Sequence, residues 1–353
     1  MLTKLESYGV KESELRWFIN SYLSERLQYV FYKGASSDPM RLSFGVTQGS
    51  VLGPTLFNIH INNISKACHM STLSLYADDT AIHSSSKNVD LAVYIYNINK
   101  DLQSVRHWFC RNGLICNTKK SEAMIIASHK ALKTNRDINI FYGDSMLKQQ
   151  RHFKCCVVVD ESLSWNNHVS YIASRVYPKL KLLNRISSFL SPTIFLKIYK
   201  MTILPILDYG CIVWGLCSKK NSDFLERLQN KAMRIIFRTN HLTSIQSMRE
   251  RFGLSTLLNK RRRYLRLQLV YKIVNDYHCP RELQGYFALR SELRRKVLRD
   301  GRELNLPRYK TAMGQSTFEY AAAKEWNEIS KLRACETLRI FQLIACKLLI
   351  ESD

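Results

Sequence analysis

The hydrophobic pattern changes period several times along the chain, and each change marks an element. Leu2 and Leu5 precede Tyr8-Gly9. Behind Lys11-Glu12-Ser13-Glu14, Leu15, Phe18, Ile19, Tyr22 and Leu23 recur at helical spacing, predicting two short helices over residues 1–24. Runs from Arg26 to Tyr32 and from Met40 to Phe44 flank the turn-rich Gly34-Ala35-Ser36-Ser37-Asp38-Pro39 and predict an antiparallel pair. Residues 45–64 read as a glycine-bearing loop followed by a helix with Leu56, Ile59 and Ile64 on its apolar side. From Leu73 to Ile82 a short apolar run breaks at two acids and resumes, which predicts a β-hairpin. Val89 to Phe109 is amphipathic at helical period, with Leu91, Ile95, Ile98, Leu102, Val105 and Phe109 near one face. Phe153 to Val169 reads as another hairpin, a β-branched run with a polar turn. From about residue 170 to 240 the pattern is helical, ending in Leu225 to Ile236. Antiparallel strand pairs and helices both occur, as in an α+β fold. No repeat, heptad or low-complexity linker appears.

Composition narrows the partners. With 46% hydrophobic residues in 353, the chain has the material for a substantial core and is not a disordered sequence. Lys and Arg number 53 against 29 Asp and Glu, a net charge of +24 that favours a polyanion, nucleic acid foremost. A membrane surface is the competing partner, but no stretch approaches the ~18 apolar residues of a spanning helix, and no signal-peptide pattern opens the chain. None of the 10 cysteines forms a C-x-x-C pair, so buried thiols are expected rather than disulfides or zinc ligands.

Two stretches carry candidate chemistry. Asp78 and Asp79 at one hairpin tip repel each other unless a cation sits beside them. Magnesium, which takes one or two carboxylates plus substrate phosphates, is the natural occupant; a solvated turn is the other reading. The loop Gly45-Val46-Thr47-Gln48-Gly49-Ser50-Val51-Leu52-Gly53-Pro54 permits close backbone approach at its glycines, and Gln48 offers both donor and acceptor. By itself it also reads as a helix entry.

Together they are far more specific. Gly-x-x-Gln-Gly-Ser-x-Leu-x-Pro followed by Tyr76-Ala77-Asp78-Asp79 resembles the palm of reverse transcriptases, most of all those of jockey-type non-LTR retrotransposons. The likeness continues in Asn112-Gly113-Leu114 to Lys120-Ser121-Glu122, in the stretch Phe153–Val169, in Leu204-Pro205-Ile206-Leu207-Asp208-Tyr209-Gly210 with Trp214-Gly215, and in Ala321 to Asn327. It departs at Thr47, where the family usually has Pro, and at Cys155-Cys156-Val157, where it usually has Tyr-Leu-Gly.

The resemblance implies an RNA-directed DNA polymerase working with two magnesium ions, manganese being the substitute. Asp78 and Asp79 then hold metal, and Lys120 is the candidate proton donor to the pyrophosphate leaving group. Gln48, Gly49, Tyr76 and Asn117 lie against nucleotide or template. Partners are an RNA template, a DNA primer and deoxynucleoside triphosphates, and the expected site of action is nuclear. The implied organisation is an incomplete palm over 1–145, a primer-grip hairpin and helical thumb over 146–240, and a basic helical region over 241–353. There Lys260, Arg261, Arg262 and Arg263, with Arg266, form one basic run and Arg294-Arg295-Lys296, with Arg299 and Arg302, a second. Both suit contacts to a nucleic-acid backbone. Of the interleaved aromatics Tyr264, Tyr271, Tyr286 and Phe287, most of the tyrosines are expected in a core. The family's first catalytic aspartate lies on a strand before all of these motifs. The chain is therefore expected to be inactive alone. The alternatives are a non-catalytic nucleic-acid-binding remnant and a decayed element without function.

Overall fold

The structure is a computed structural model that describes all residues except 43–44, 86–89, 135–137, 241–242, 246–257, 294–300 and 352–353. The second basic run, Arg294-Arg295-Lys296 with Arg299, thus lies outside the described residues. The class is α+β, helices with small two-stranded sheets. The chain divides into two units, residues 1–125 with 129–150 and residues 126–128 with 151–353.

In the first unit the N-terminal helices run Leu2–Ser7 and Glu12–Trp17, the second continuing as a π-turn over Phe18–Tyr22. The strand expected over 26–32 is broken. Arg26–Gln28 pairs with Met40–Leu42, while Phe31–Tyr32 pairs with Ala35–Ser36 in a register one residue out of step. The helix Gly53–Ile61 has Pro54 in its first turn, where a missing N–H costs nothing. It passes into a 3-10 turn over Asn62–Ala67. The long helix Leu91–Arg111 starts at Asp90, whose carboxylate accepts Ala92 N–H at 3.2 Å, and stops at Asn112-Gly113, where Gly113 has φ +67° and Leu114 N–H returns to Phe109 O. Its apolar side is shared between two small cores. One holds Ile61, Ile64 and Val105; the other holds Leu102, Ile140 and Leu147.

The second unit begins with the hairpin His152–Lys154 and Val158–Asp160. Its turn is Cys155-Cys156-Val157, and the polar residues Asp160–Ser164 that follow start a helix. The buried Asp160 carboxylate accepts the N–H groups of Ser162, Ser164 and Trp165 and both serine hydroxyls, at 2.8–3.2 Å, just ahead of Asn166–Arg185. That helix packs with Pro192–Thr202 and Lys219–Phe237 around Val176, Phe195, Leu207, Trp214, Leu225 and Ile236. A second core gathers Leu267, Tyr271, Trp326 and Phe341. The helix Leu258–Val274 serves both cores, giving Leu265 to one and Leu267, Val270 and Tyr271 to the other.

Candidate active site

The paired acids sit on a hairpin with one wet and one dry face. Strands Thr72–Tyr76 and Asp79–His83 pair antiparallel, with Tyr76 opposite Asp79. Leu73, Leu75 and Ile82 face inward onto Ile61, Ile64 and Val105, so the alternation puts Tyr76 and Asp79 outward. Tyr76 is 75% exposed. Ala77 and Asp78 form the two-residue turn, and Ala77 has φ +51°. Hairpin turns that match strand twist need a positive φ at this position, which glycine normally takes, so alanine here stores about 1 kcal/mol of strain. No hydrogen bond or ion pair engages either carboxylate among the described residues, and their oxygens remain open to an incoming cation.

The loop before Gly53–Ile61 is set by its own polar atoms. Gly49 has φ +83°. Ser50 Oγ donates to Thr47 O at 2.8 Å, accepts Gly53 N–H at 3.0 Å and lies 2.7 Å from Tyr22 OH. A Cβ on Gly53 would lie 2.9 Å from Thr47 O, so only glycine fits there. Gln48 and Gly49 remain exposed. The third segment leaves Leu91–Arg111 at its C-terminal end. Asn117 O accepts Lys120 N–H and Ser121 Oγ, each at 3.0 Å, which folds the segment into a turn with both Asn117 and Lys120 exposed.

The hairpin and the helix following the Gln48 loop therefore share one core, which the long helix also joins. No hydrogen bond or ion pair links Gln48, Asn117 or Lys120 to Asp78 or Asp79 among the described residues. Two residues that sequence reasoning passed over hold this frame. Asp101, 1% exposed, accepts His69 N–H and Met70 N–H at 3.0 Å each and anchors the approach to the hairpin. Burial alone would raise its pKa, but these hydrogen bonds outweigh it and hold the carboxyl below the usual range. Lys4 is the other. Asp101 has a sequence signal, an acid near the apolar face of an amphipathic helix. Lys4 has none.

These observations suffice to place the first half of the chain. Residues 1–171 match the family model described as reverse transcriptase (RNA-dependent DNA polymerase). This part of the chain resembles a reverse transcriptase domain. The chain is also similar to the RNA-directed DNA polymerase from mobile element jockey of Drosophila melanogaster, 25% identical over 237 residues, 63% of this chain and 25% of that protein. It is 30% identical over 234 residues to the probable RNA-directed DNA polymerase from transposon BS and 26% to that from transposon X-element, both of D. melanogaster. The chain thus spans about a quarter of the length of the relatives it matches.

In the part of the chain beyond the matched residues the basic run at 260–263 departs from expectation. Arg262 is 1% exposed and lies over the Trp214 ring at 4.5 Å. Arg261 pairs with Asp208, Arg263 with Glu328 at 2.5 Å, and Arg266 grips Glu325 through Nε at 3.1 Å and Nη2 at 2.5 Å. Lys260 also has a partner. Arg262 is out of reach of a phosphate backbone, and Arg261, Arg263 and Arg266 are committed to carboxylates. Burial raises the Asp208 pKa, against the pull of Arg261 and Arg262. Other cations of this unit lie beside aromatic rings. Lys154 sits 4.7 Å and Arg175 5.8 Å from the Tyr171 ring, and Lys231 is 5.7 Å from Tyr177. None of Cys155, Cys156 and Val157 has a positive φ, so the missing family glycine is not needed for backbone conformation at that tip. Among the described residues no helix is long and apolar enough to cross a membrane.

Proposed function

We propose that the chain supplies the Asp78-Asp79 carboxylates of an RNA-directed DNA polymerase of a mobile element, extending a DNA primer on an RNA template in the nucleus. The observation that carries this reading is the hairpin tip, two adjacent exposed carboxylates without partners among the described residues, on a strand pair held from behind by an apolar core. The donor set fits a hard divalent cation, magnesium first and manganese second, held by carboxylates together with substrate phosphates. Such an ion, when bound, neutralises charge on the phosphates undergoing transfer. The chain's own residues bind and orient. Asp78 and Asp79 hold the ion, Tyr76 presents a ring beside Asp79, and Gln48 and Gly49 offer an amide and bare backbone to nucleotide or template. Lys120 holds a proton on Nζ for the leaving pyrophosphate, and Asn117 shapes the turn that presents it.

The carboxylates gathered at the tip number two, and among the described residues no third acid, histidine or cysteine joins a group with them. A two-metal site draws ligands from more than one strand, so the proposal includes that this chain alone does not extend a primer. Titration with Mn²⁺ tests the site. Asp78→Asn and Asp79→Asn should each weaken binding about tenfold or more, the size of losing one charged ligand; equal affinity in wild type and both variants sinks the assignment. Magnesium-dependent primer extension by the purified chain, lost in Asp78→Ala, would show that the site is complete.

A second reading, nucleic-acid binding without catalysis, is favoured by the exposed Lys154 and Arg175 on either side of the half-buried Tyr171 ring. Phosphate-driven affinity falls steeply with salt. RNA or duplex binding that is indifferent to salt between low and moderate ionic strength excludes it.

A further inference from the structure

Lys4 makes more polar contacts than any role on a surface helix requires. Its ammonium has three protons and meets three acceptors: His60 O at 2.5 Å, Asn63 Oδ1 at 3.2 Å and Asn112 Oδ1 at 2.9 Å. It also stands 5.0 Å from the centroid of the Trp108 ring, within cation–π range. The partners come from separate parts of the first unit. His60 lies in the last turn of Gly53–Ile61, the helix that begins from the Gln48 loop. That end of a helix carries unpaired carbonyls and partial negative charge, which a cation satisfies. Asn63 lies in the 3-10 turn that continues it. Asn112 caps the long helix Leu91–Arg111 and opens the segment to Asn117 and Lys120. Partial burial lowers the Lys4 pKa.

The other atoms close the same junction. His60 Nε2 lies 3.1 Å from Asn112 O, so the two chain segments also touch directly. Asn112 Nδ2 donates to Trp108 O at 2.8 Å, which turns its Oδ1 towards the ammonium. Leu5, the next residue, is 2% exposed and fixes the short helix that carries Lys4. Every proton of the ammonium is used inside the protein, so none is left for a phosphate.

We propose that Lys4 is a positioning residue of the polymerase site: it fastens the end of the Gln48-loop helix to the start of the Asn117–Lys120 segment and so sets the spacing of the two. The inference rests on the functional reading above for the purpose of that spacing, but not for the clamp itself. Lys4 touches no nucleotide. It acts through His60 and Asn112.

The test separates the clamp from the reading. Hydrogen exchange of the full chain is followed at the amides of Asn112, Gly113 and Leu114, which are bonded to Trp108 O, Cys110 O and Phe109 O, and at Lys120 and Ser121. Lys4→Met keeps the stem over Trp108 and removes the donors. It should speed exchange there by about tenfold or more, as loss of charge-assisted hydrogen bonds implies, and leave the hairpin Thr72–His83 within about twofold. Lys4→Arg should restore most of the protection. Asn112→Ala, which removes one acceptor only, should give a smaller change at the same amides and serves if Lys4→Met does not fold. Unchanged exchange overturns the proposal, as does a uniform rise across residues 1–125 or a failure of Lys4→Arg to rescue. Loss of Mn²⁺ binding in the Asp78 and Asp79 variants is read separately, so a failed metal site and a failed clamp give different results.

Discussion

Replacing Arg262 with methionine is expected to stabilise the second unit, against the usual direction for a buried residue. The guanidinium is 1% exposed, and its Nε, Nη1 and Nη2 have no hydrogen-bond partner among the described residues. Its favourable contacts are the Trp214 ring at 4.5 Å and the charge attraction of Asp208. Substituting a well-packed apolar side chain for a poorly compensated buried charge returns about 1–4 kcal/mol. Losing a desolvated cation–π contact costs about 2 kcal/mol. Methionine keeps most of the stem's length and a polarizable contact with Trp214, and Asp208 retains Arg261. The middle of these ranges leaves a small net gain, about 0.5 kcal/mol, or about 1–2 °C for a unit of this size. Arg266→Met is the contrast. It strips Glu325, 17% exposed, of both its bonds and should cost about 2–4 kcal/mol. Urea unfolding followed by tryptophan fluorescence reads both variants. If Arg262→Met loses more than about 1 kcal/mol, the guanidinium has a partner worth more than its desolvation penalty, and the account of this cluster is wrong.

Asp160→Asn replaces one of two oxygens that accept five donors and should cost the second unit about 1–3 kcal/mol in the same assay. Burial would raise the Asp160 pKa, but the bonds from Ser164, Ser162 and Trp165 depress it; burial also pushes His168 down to about 4. With both groups depressed, the unfolded chain binds more protons through the window. Stability is therefore full above about pH 6.5 and lost as pH falls towards 4 and below; a melting temperature flat across that range contradicts both shifts. Ala77→Gly relieves the left-handed backbone at the hairpin tip and should change stability by less than about 1 kcal/mol, because the glycine gains freedom when unfolded. Mn²⁺ affinity should stay within about twofold, and a loss of more than 2 kcal/mol shows that the alanine methyl makes contacts of its own. Neutralising Lys154 and Arg175 together should reduce the salt slope of nucleic-acid binding by about 2, whereas Arg262→Met should leave it unchanged.

The relation between sequence and structure follows the range of the interactions. The hairpin Thr72–His83 and the helix Leu91–Arg111 are legible because alternation and helical period are local, and the expected helix start and end at Val89 and Phe109 miss by two residues each. The motif Gly45 to Pro54 includes Ser50 without a structural role and leaves Gly53 unspecified. The need for glycine at Gly53 arises from the approach of Thr47 O, a folded distance. Within Phe153–Val169 the turn falls at Cys155–Val157 rather than on polar residues, because the polar Asp160–Ser164 are used as a helix start.

What the sequence determined without help is the resemblance to reverse transcriptases and the adjacent carboxylates, since both rest on residue order and spacing. What it left undecided is the direction in which charges face. Four consecutive basic residues at 260–263 turn through all sides of a helix, about 100° at a time, so one of them has to point inward. Which one does, and what it meets, depends on Trp214 and Asp208, brought beside it by packing. Lys4 is the same case in reverse. A lysine in a short surface helix carries no local mark of its role, because its acceptors lie 56, 59 and 108 residues along the chain. The tertiary fold alone brings them within 3.2 Å of one ammonium.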